Sequence, residues 1–277
     1  MLRRVLSLLS LCLGLSLLAV AESASYATPD SALDALVAEC LETEGVNQLE
    51  GTNTLCYNSA IYPEQFIKLN SLPPADRIII TSPGGNVATA RGMSSILDRR
   101  AEPVIIAGPC MSACAMVILP SLDSVYIHRT AHIAVHGITF MDYRTWFGWL
   151  KDDEQPGSFD LIRAQLGYDF GFVMHYSGQE HIEEHYARQD MDLEFIKSID
   201  AEMTETALAQ SCRVPPKDYW GLLTPDHIRT YLGERLVGME AFAASWDDPL
   251  NQYYQDVIEP LGPRTYVFSR DFEDAVC

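Results

Sequence analysis

From about residue 55 to 137 the chain alternates short apolar runs with stretches whose apolar positions recur at helical spacing. RIIIT (77–81) is β-branched after its first residue, with three consecutive isoleucines, the pattern of a strand buried on both faces. SPGGN (82–86) follows as a turn signal, with Asn86 placed to cap a helix. Val87, Ala90, Met93 and Leu97 then share a helical face, and Arg99 and Arg100 fall in the last turn, where cations suit the helix dipole. PVIIAG (103–108) predicts a second strand, and Ala113 to Leu119 a short buried helix stopped by Pro120. SVYIH (124–128) and HIAVH (132–136) are two further strand candidates. Farther on, TPDHIRTYLGERLVGM (224–239) predicts a capped helix, a glycine stop and a strand. Strands and helices alternating at these lengths predict an α/β fold with right-handed crossovers, in one domain with embellishments.

The amino terminus follows a different pattern. Arg3 and Arg4 precede an apolar run from Val5 to Val20, and Ala19-Val20-Ala21 supplies small residues at a cleavage position. Residues 1–21 therefore read as an export signal, short for a spanning helix, with an uncleaved anchor as the alternative, and 22–277 as the mature domain. The chain holds 38 acidic and 19 basic residues, a net charge of −19. Loss of Arg3 and Arg4 with the leader makes the mature chain more acidic still. Such a surface repels nucleic acid and anionic membrane, which argues against both as partners. Cys40, Cys56, Cys110, Cys114, Cys212 and Cys277 remain after the leader, an even set that favours disulfides in an exported protein. Cys40 and Cys56 are the expected pair, being close in sequence and outside the motif region. No internal repeat or low-complexity tract is present.

VIIAGPCMSACAMVILP (104–120) places one hydroxyl, Ser112, between two cysteines where one apolar run ends and the next begins. At a strand-to-helix turn its side chain would lie near free backbone N–H groups and the positive end of the helix dipole, which stabilise developing negative charge. The nucleophile elbow of α/β-hydrolases uses this logic, but with glycines two residues either side of the serine; here Cys110 and Cys114 stand there. By itself Ser112 reads as a small buried serine. Two further features shift that balance. SPGG (82–85) can turn a backbone N–H toward a substrate carbonyl with no side chain in the way. His136 lies about two dozen residues after Ser112, at the end of a strand candidate. All three sit at ends of apolar strands.

In that order, IIITSPGGN, IIAGPCMSACA and HIAVHGI resemble the Clp-type serine peptidases of the ClpP/crotonase fold. The C-x-S-A-C flanking of the serine is similar to an exported branch of such proteins. The resemblance spans roughly 55–137 and, more weakly, 205–239. It implies a layered β-β-α architecture with Ser112 as nucleophile, His136 as general base, and the amides of Gly85 and Ala113 as oxyanion hole. Asp218, in PPKDYWGLL, is the nearest carboxylate to the place of the orienting acid, with Asp190 and Asp200 as fallbacks. The stretch from base to acid, Thr139 to Cys212, is longer than in the family and rich in aromatics. It reads as an inserted helical segment, helical and acidic over 176–210, whose aromatics pack as core. The corresponding family helix mediates subunit packing, so a homo-oligomer or a lid is compatible with it.

Other chemistries remain open. HIEEH (181–185) fits the H-x-x-E-H pattern, in which His181 and His185 would share a zinc ion and Glu184 would act as base; His128, His132 and His136 add potential ligands. As a solvated charged face the same pattern is ordinary. A non-catalytic binding protein would keep the architecture without a working triad, and Cys114 as nucleophile is disfavoured by export. The reading carried forward is an exported serine hydrolase acting on a peptide or protein substrate, with no cofactor or metal. Cytoplasmic unfoldases would not reach it as partners.

Overall fold

The computed structural model describes residues 31–136, 180, 183–209, 219–245, 265–268 and 274–276. The leader, most of the 139–212 segment, and Asp218 lie outside these described residues. Among these residues the fold is mixed α/β around a mostly parallel sheet of ten strands. β1 (Gly45–Gln48) and β2 (Thr54–Asn58) pair antiparallel, and β2, β3 (Arg77–Ser82) and β4 (Val104–Met111) then run parallel.

β4 forks. Its first half, Val104–Ile106, pairs with β5 (Val125–Ile127), and its second half, Pro109–Met111, pairs with β6 (His132–His136). Gly108 lies between the halves with φ +57°, and a Cβ there would come within 2.8 Å of Thr81 Oγ1. Beyond β6 the sheet continues antiparallel to β7 (Tyr219–Leu222), then to β9 (Thr265–Phe268) and β10 (Asp274–Val276), while β5 pairs with β8 (Leu236–Gly238).

The continuous apolar strands have the physical consequence their pattern implies: both sheet faces are covered. Ile78, Ile80, Val104 and Ile106 point to one face, against Ala90, Met93, Ile96 and Leu97 of α3 (Val87–Arg100). Ile79, Ile105 and Ala107 point to the other, against Leu33, Val37 and Cys40 of α1 (Ser31–Glu42). Each buried isoleucine contributes on the order of 2 kcal/mol. A disulfide ties Cys40 of α1 to Cys56 of β2, the pair expected from sequence. Asp34 of α1 also accepts from His128 Nε2 at 2.8 Å. α2 (Pro63–Ser71) packs against α3. Asn86 caps α3, its side chain accepting from Thr89 N at 2.9 Å.

Two elements differ from the sequence expectation. The helix expected over 113–119 is a π-helical turn, Cys114–Ile118, followed by a 3₁₀ turn, Leu119–Ser121. Pro120 lies inside that second turn, in its first turn of helix, where a missing N–H is tolerated. The 176–210 segment is not one helix where it is described. Helix at 183–188 gives way to a turn in which Asp190 has φ +51°, and α4 (Leu193–Ala209) follows. The 183–188 stretch docks through Tyr186, whose hydroxyl donates to the Met116 carbonyl and meets Tyr231 Oη at 3.1 Å. Tyr231 belongs to α5 (Pro225–Leu232), which Thr224 and His227 close with a reciprocal capping box.

Candidate active site

Because β3, β4 and β6 are parallel, their carboxyl ends meet at one edge of the sheet, the edge where ligands of open α/β sheets bind. β3 ends at Ser82, whose Oγ accepts from Gly84 N at 3.2 Å. Pro83, Gly84 and Gly85 then turn the chain toward α3. Ile61 braces this loop, donating its N–H to the Gly84 carbonyl at 2.8 Å and accepting from Asn86 N at 2.9 Å.

β4 ends at Met111, and Ser112 takes the left-handed conformation, φ +52°. For a residue with a Cβ that conformation is unfavourable and persists only when its surroundings enforce it. Three contacts do so here. Ser112 N donates to the Ala134 carbonyl of β6 at 3.0 Å, and Ser112 O accepts from Met116 N at 2.8 Å. A disulfide between Cys110 and Cys114 brackets the turn on both sides. Gly84 lies directly over it: a Cβ at Gly84 would sit 2.5 Å from the Met111 carbonyl oxygen and 2.6 Å from Ser112 Cβ.

The bond from Ser112 N to Ala134 sets the register that brings the next same-face residue of β6, His136, to the hydroxyl. Ser112 Oγ and His136 Nε2 are 2.6 Å apart, with both residues partly exposed. With Nε2 unprotonated, the hydroxyl donates and the imidazole can receive its proton. The His136 ring packs on Trp220, centroids 4.6 Å apart and planes tilted by 41°, and Trp220 is the residue opposite His136 in the β6–β7 pairing. Trp220 therefore limits the imidazole's rotation. Among the described residues no acceptor takes the amide hydrogens of Gly85 or Ala113. Gly85 is exposed on the loop, and Ala113 opens the π turn beside Ser112.

Of the residues singled out in sequence, Ser112, His136, Gly85 and Ala113 come to this one edge. Asp218 lies outside the described residues, one position before β7. Asp190 is exposed in its turn, where its carbonyl accepts from Arg235 at 2.6 Å. Asp200 lies on α4 with Oδ1 buried and without a hydrogen-bond partner, and burial pushes its carboxyl up to about 7. Neither is hydrogen-bonded to His136. Cys114 is in a disulfide and offers no thiol.

The HIEEH stretch does not assemble with the other histidines. His181 lies outside the described residues, Glu183 faces Lys197 at 3.4 Å, Glu184 is exposed and His185 is buried. His128 is engaged by Asp34 and Thr130, and His132 and His136 are a four-residue strand length apart, about 13 Å. Among the described residues no group of three His, Cys, Asp or Glu side chains is placed to hold a metal. Two site residues escaped the sequence reading. Gly84, rather than Gly85, makes the close approach to the serine turn, and Trp220 backs the histidine. SPGG had pointed to the pair of glycines without separating their roles, and no sequence feature paired Trp220 with His136.

No family model matches the chain, and no curated protein matches it in sequence. Among solved structures it is similar to a ClpP1 mutant from Listeria monocytogenes, at 15% identity and a TM-score of 0.36, over 68% of this chain and 91% of that one. At that score and identity, function is left to the geometry of the site.

Proposed function

We propose that this chain is a serine hydrolase of the Clp type that cleaves peptide bonds, with Ser112 as nucleophile and His136 as general base. The observation that carries this reading is the 2.6 Å contact between Ser112 Oγ and His136 Nε2, made from a left-handed strand-to-helix turn. A structural serine has no need of that conformation, whereas a nucleophile presented at a strand end does. His136 Nε2 takes the Ser112 proton as Oγ adds to the substrate carbonyl. The oxyanion is received by the Gly85 and Ala113 amides, which have no competing acceptor among the described residues. Collapse of the tetrahedral intermediate breaks the scissile bond, with the leaving amine taking the proton back from His136. Water then hydrolyses the acyl-Ser112 by the same steps in reverse.

Asp218 is the proposed orienting acid: it directly precedes β7, the strand whose Trp220 faces His136. Two disulfides fit an oxidising compartment and support the reading of residues 1–21 as an export leader. The test is labelling of the purified protein by a fluorophosphonate probe. Wild type is expected to be labelled, and Ser112→Ala and His136→Ala are not. Equal labelling of wild type and Ser112→Ala would overturn the assignment.

A further inference from the structure

A second site lies on the far side of the SPGG loop, along α3. Arg91 and Ser95 of α3, with His185, Arg188 and Gln189 of the segment after it in the fold, line a cleft of 470 Å³. The Ser112 chemistry uses none of these side chains. His185 is 3% exposed, and its Nε2 is buried without a hydrogen-bond partner; its other nitrogen is taken by the Val117 carbonyl. Arg91 Nε is likewise buried and unpartnered.

The charge balance makes this cluster unusual. The chain has 38 acids for 19 bases, yet among the described residues neither Arg91 nor Arg188 is paired with a carboxylate. Of the acids near Arg188 in sequence, Glu183 is engaged by Lys197 and Asp192 by the Phe195 N–H. A buried guanidinium donor without an acceptor is costly unless a ligand supplies one. Burial first, then the two arginines, hold the His185 imidazole below the usual histidine range. A bound anion opposes the arginines' share and favours a proton on Nε2.

We propose that this cleft binds a small oxyanion, a carboxylate or a phosphate group, between the guanidinium groups of Arg91 and Arg188, with His185 Nε2 donating to it. Planar guanidinium forks match both groups in geometry. The cleft volume exceeds that of one oxyanion, so the group is part of a larger molecule or is accompanied by water. Arg91 lies four residues beyond Val87, about 6 Å along the axis from the start of α3, within reach of a peptide that passes the SPGG loop. The oxyanion is therefore either free in solution or a carboxylate of a bound peptide.

Calorimetric titration of the full chain with inorganic phosphate tests the site without any need for turnover, so its outcome is separable from that of the hydrolase reading. Binding is expected in wild type, weakened about tenfold or more in Arg91→Met and in Arg188→Met, and less affected in Arg91→Lys. Arg188 is exposed, so its variant is not expected to disturb folding. In the NMR titration of His185, phosphate is expected to raise the midpoint. A peptide with a free carboxyl terminus that displaces phosphate, when its amide does not, identifies a peptide carboxylate as the source; displacement by neither identifies a free anion. Absence of phosphate binding, binding unchanged in the folded Arg188→Met protein, or an unmoved His185 midpoint would each overturn the proposal.

Discussion

Two histidines of this chain each touch a hydroxyl, and they are built for opposite ends. His136 Nε2 meets Ser112 Oγ at 2.6 Å, and His128 Nδ1 meets Thr130 Oγ1 at 2.9 Å. His128 even has the carboxylate partner of a triad, with Asp34 Oδ1 at 2.8 Å from Nε2. Yet it is 3% exposed, Thr130 N also donates to Nδ1, and Gly108 N donates to the threonine oxygen. The polar atoms of that cluster are occupied by one another, and Asp34 ties α1 to the sheet through it. At His136 the hydroxyl stands on a left-handed turn at a strand end, partly exposed, next to two amides with no acceptor among the described residues. A histidine–hydroxyl contact by itself is therefore no sign of chemistry. What distinguishes Ser112 is a partly exposed hydroxyl on a left-handed turn beside amides that have no acceptor among the described residues.

The sharpest way to break that comparison is to remove each hydroxyl. Ser112→Ala is expected to lower kcat/KM on an acyl substrate by about 10³-fold or more, with its melting temperature kept. Thr130→Val is expected to leave turnover per folded molecule within about twofold. Comparable losses in both variants would erase the distinction.

Gly84→Ala tests whether the turn itself matters. Its new Cβ would press on Met111 O and Ser112 Cβ at 2.5 and 2.6 Å, at a φ of +94° that disfavours any side chain. Turnover is expected to fall about 10²-fold, as it does when a reacting group is misplaced by about 1 Å. A Gly84→Ala protein with unchanged turnover would show that the loop need not pack on the serine.

The two disulfides extend the contrast from side chains to cross-links. The Cys40–Cys56 bridge closes a separation of 16 residues and Cys110–Cys114 one of 4. Chain entropy assigns about 3 kcal/mol to the first and about 2 kcal/mol to the second. Replacing Cys40 and Cys56 by alanine is expected to cost mainly stability in urea melts. Replacing Cys110 and Cys114 is expected to cost less stability but to reduce kcat about tenfold, because the bracket around Ser112 opens.

The smallest effect concerns pH. Burial holds the His128 imidazole below its ordinary 6.5, and the hydrogen bond from His128 holds the Asp34 carboxyl below its ordinary 3.8. In both cases the folded state binds fewer protons than the unfolded one. Their contribution to stability is therefore complete above pH 6.5, shrinks as pH falls below 6.5, and is lost as pH drops through the depressed Asp34 value. Denaturation between pH 7 and 4 is expected to show a flatter dependence of stability on pH in His128→Asn than in wild type.

Much of the fold was legible without coordinates because it follows from local rules. The run of isoleucines in 78–80 can be buried only between two layers, and Asn86 caps the helix its position announced. The order of SPGG, Ser112 and His136 along parallel strands also limited where a site could form, since parallel strands bring their carboxyl ends to one edge. The π turn after Ser112 was not legible, because helical periodicity over five residues cannot distinguish hydrogen bonds to the fourth residue from bonds to the fifth.

The same boundary separates the two histidines. Their identities and strand-end positions are alike in sequence, and HIRTYL-type helical patterns say nothing of which carboxylate approaches which ring. Asp34 reaches His128 across 94 residues, and Trp220 reaches His136 through the β6–β7 register. Such pairings depend on strand register and on the packing of α1, which sum many weak contacts distant in sequence. Local residue pattern determines which segments become strands and helices and which hydroxyl is available. Only the tertiary structure decides which imidazole is held as a clamp and which is left facing a partly exposed hydroxyl.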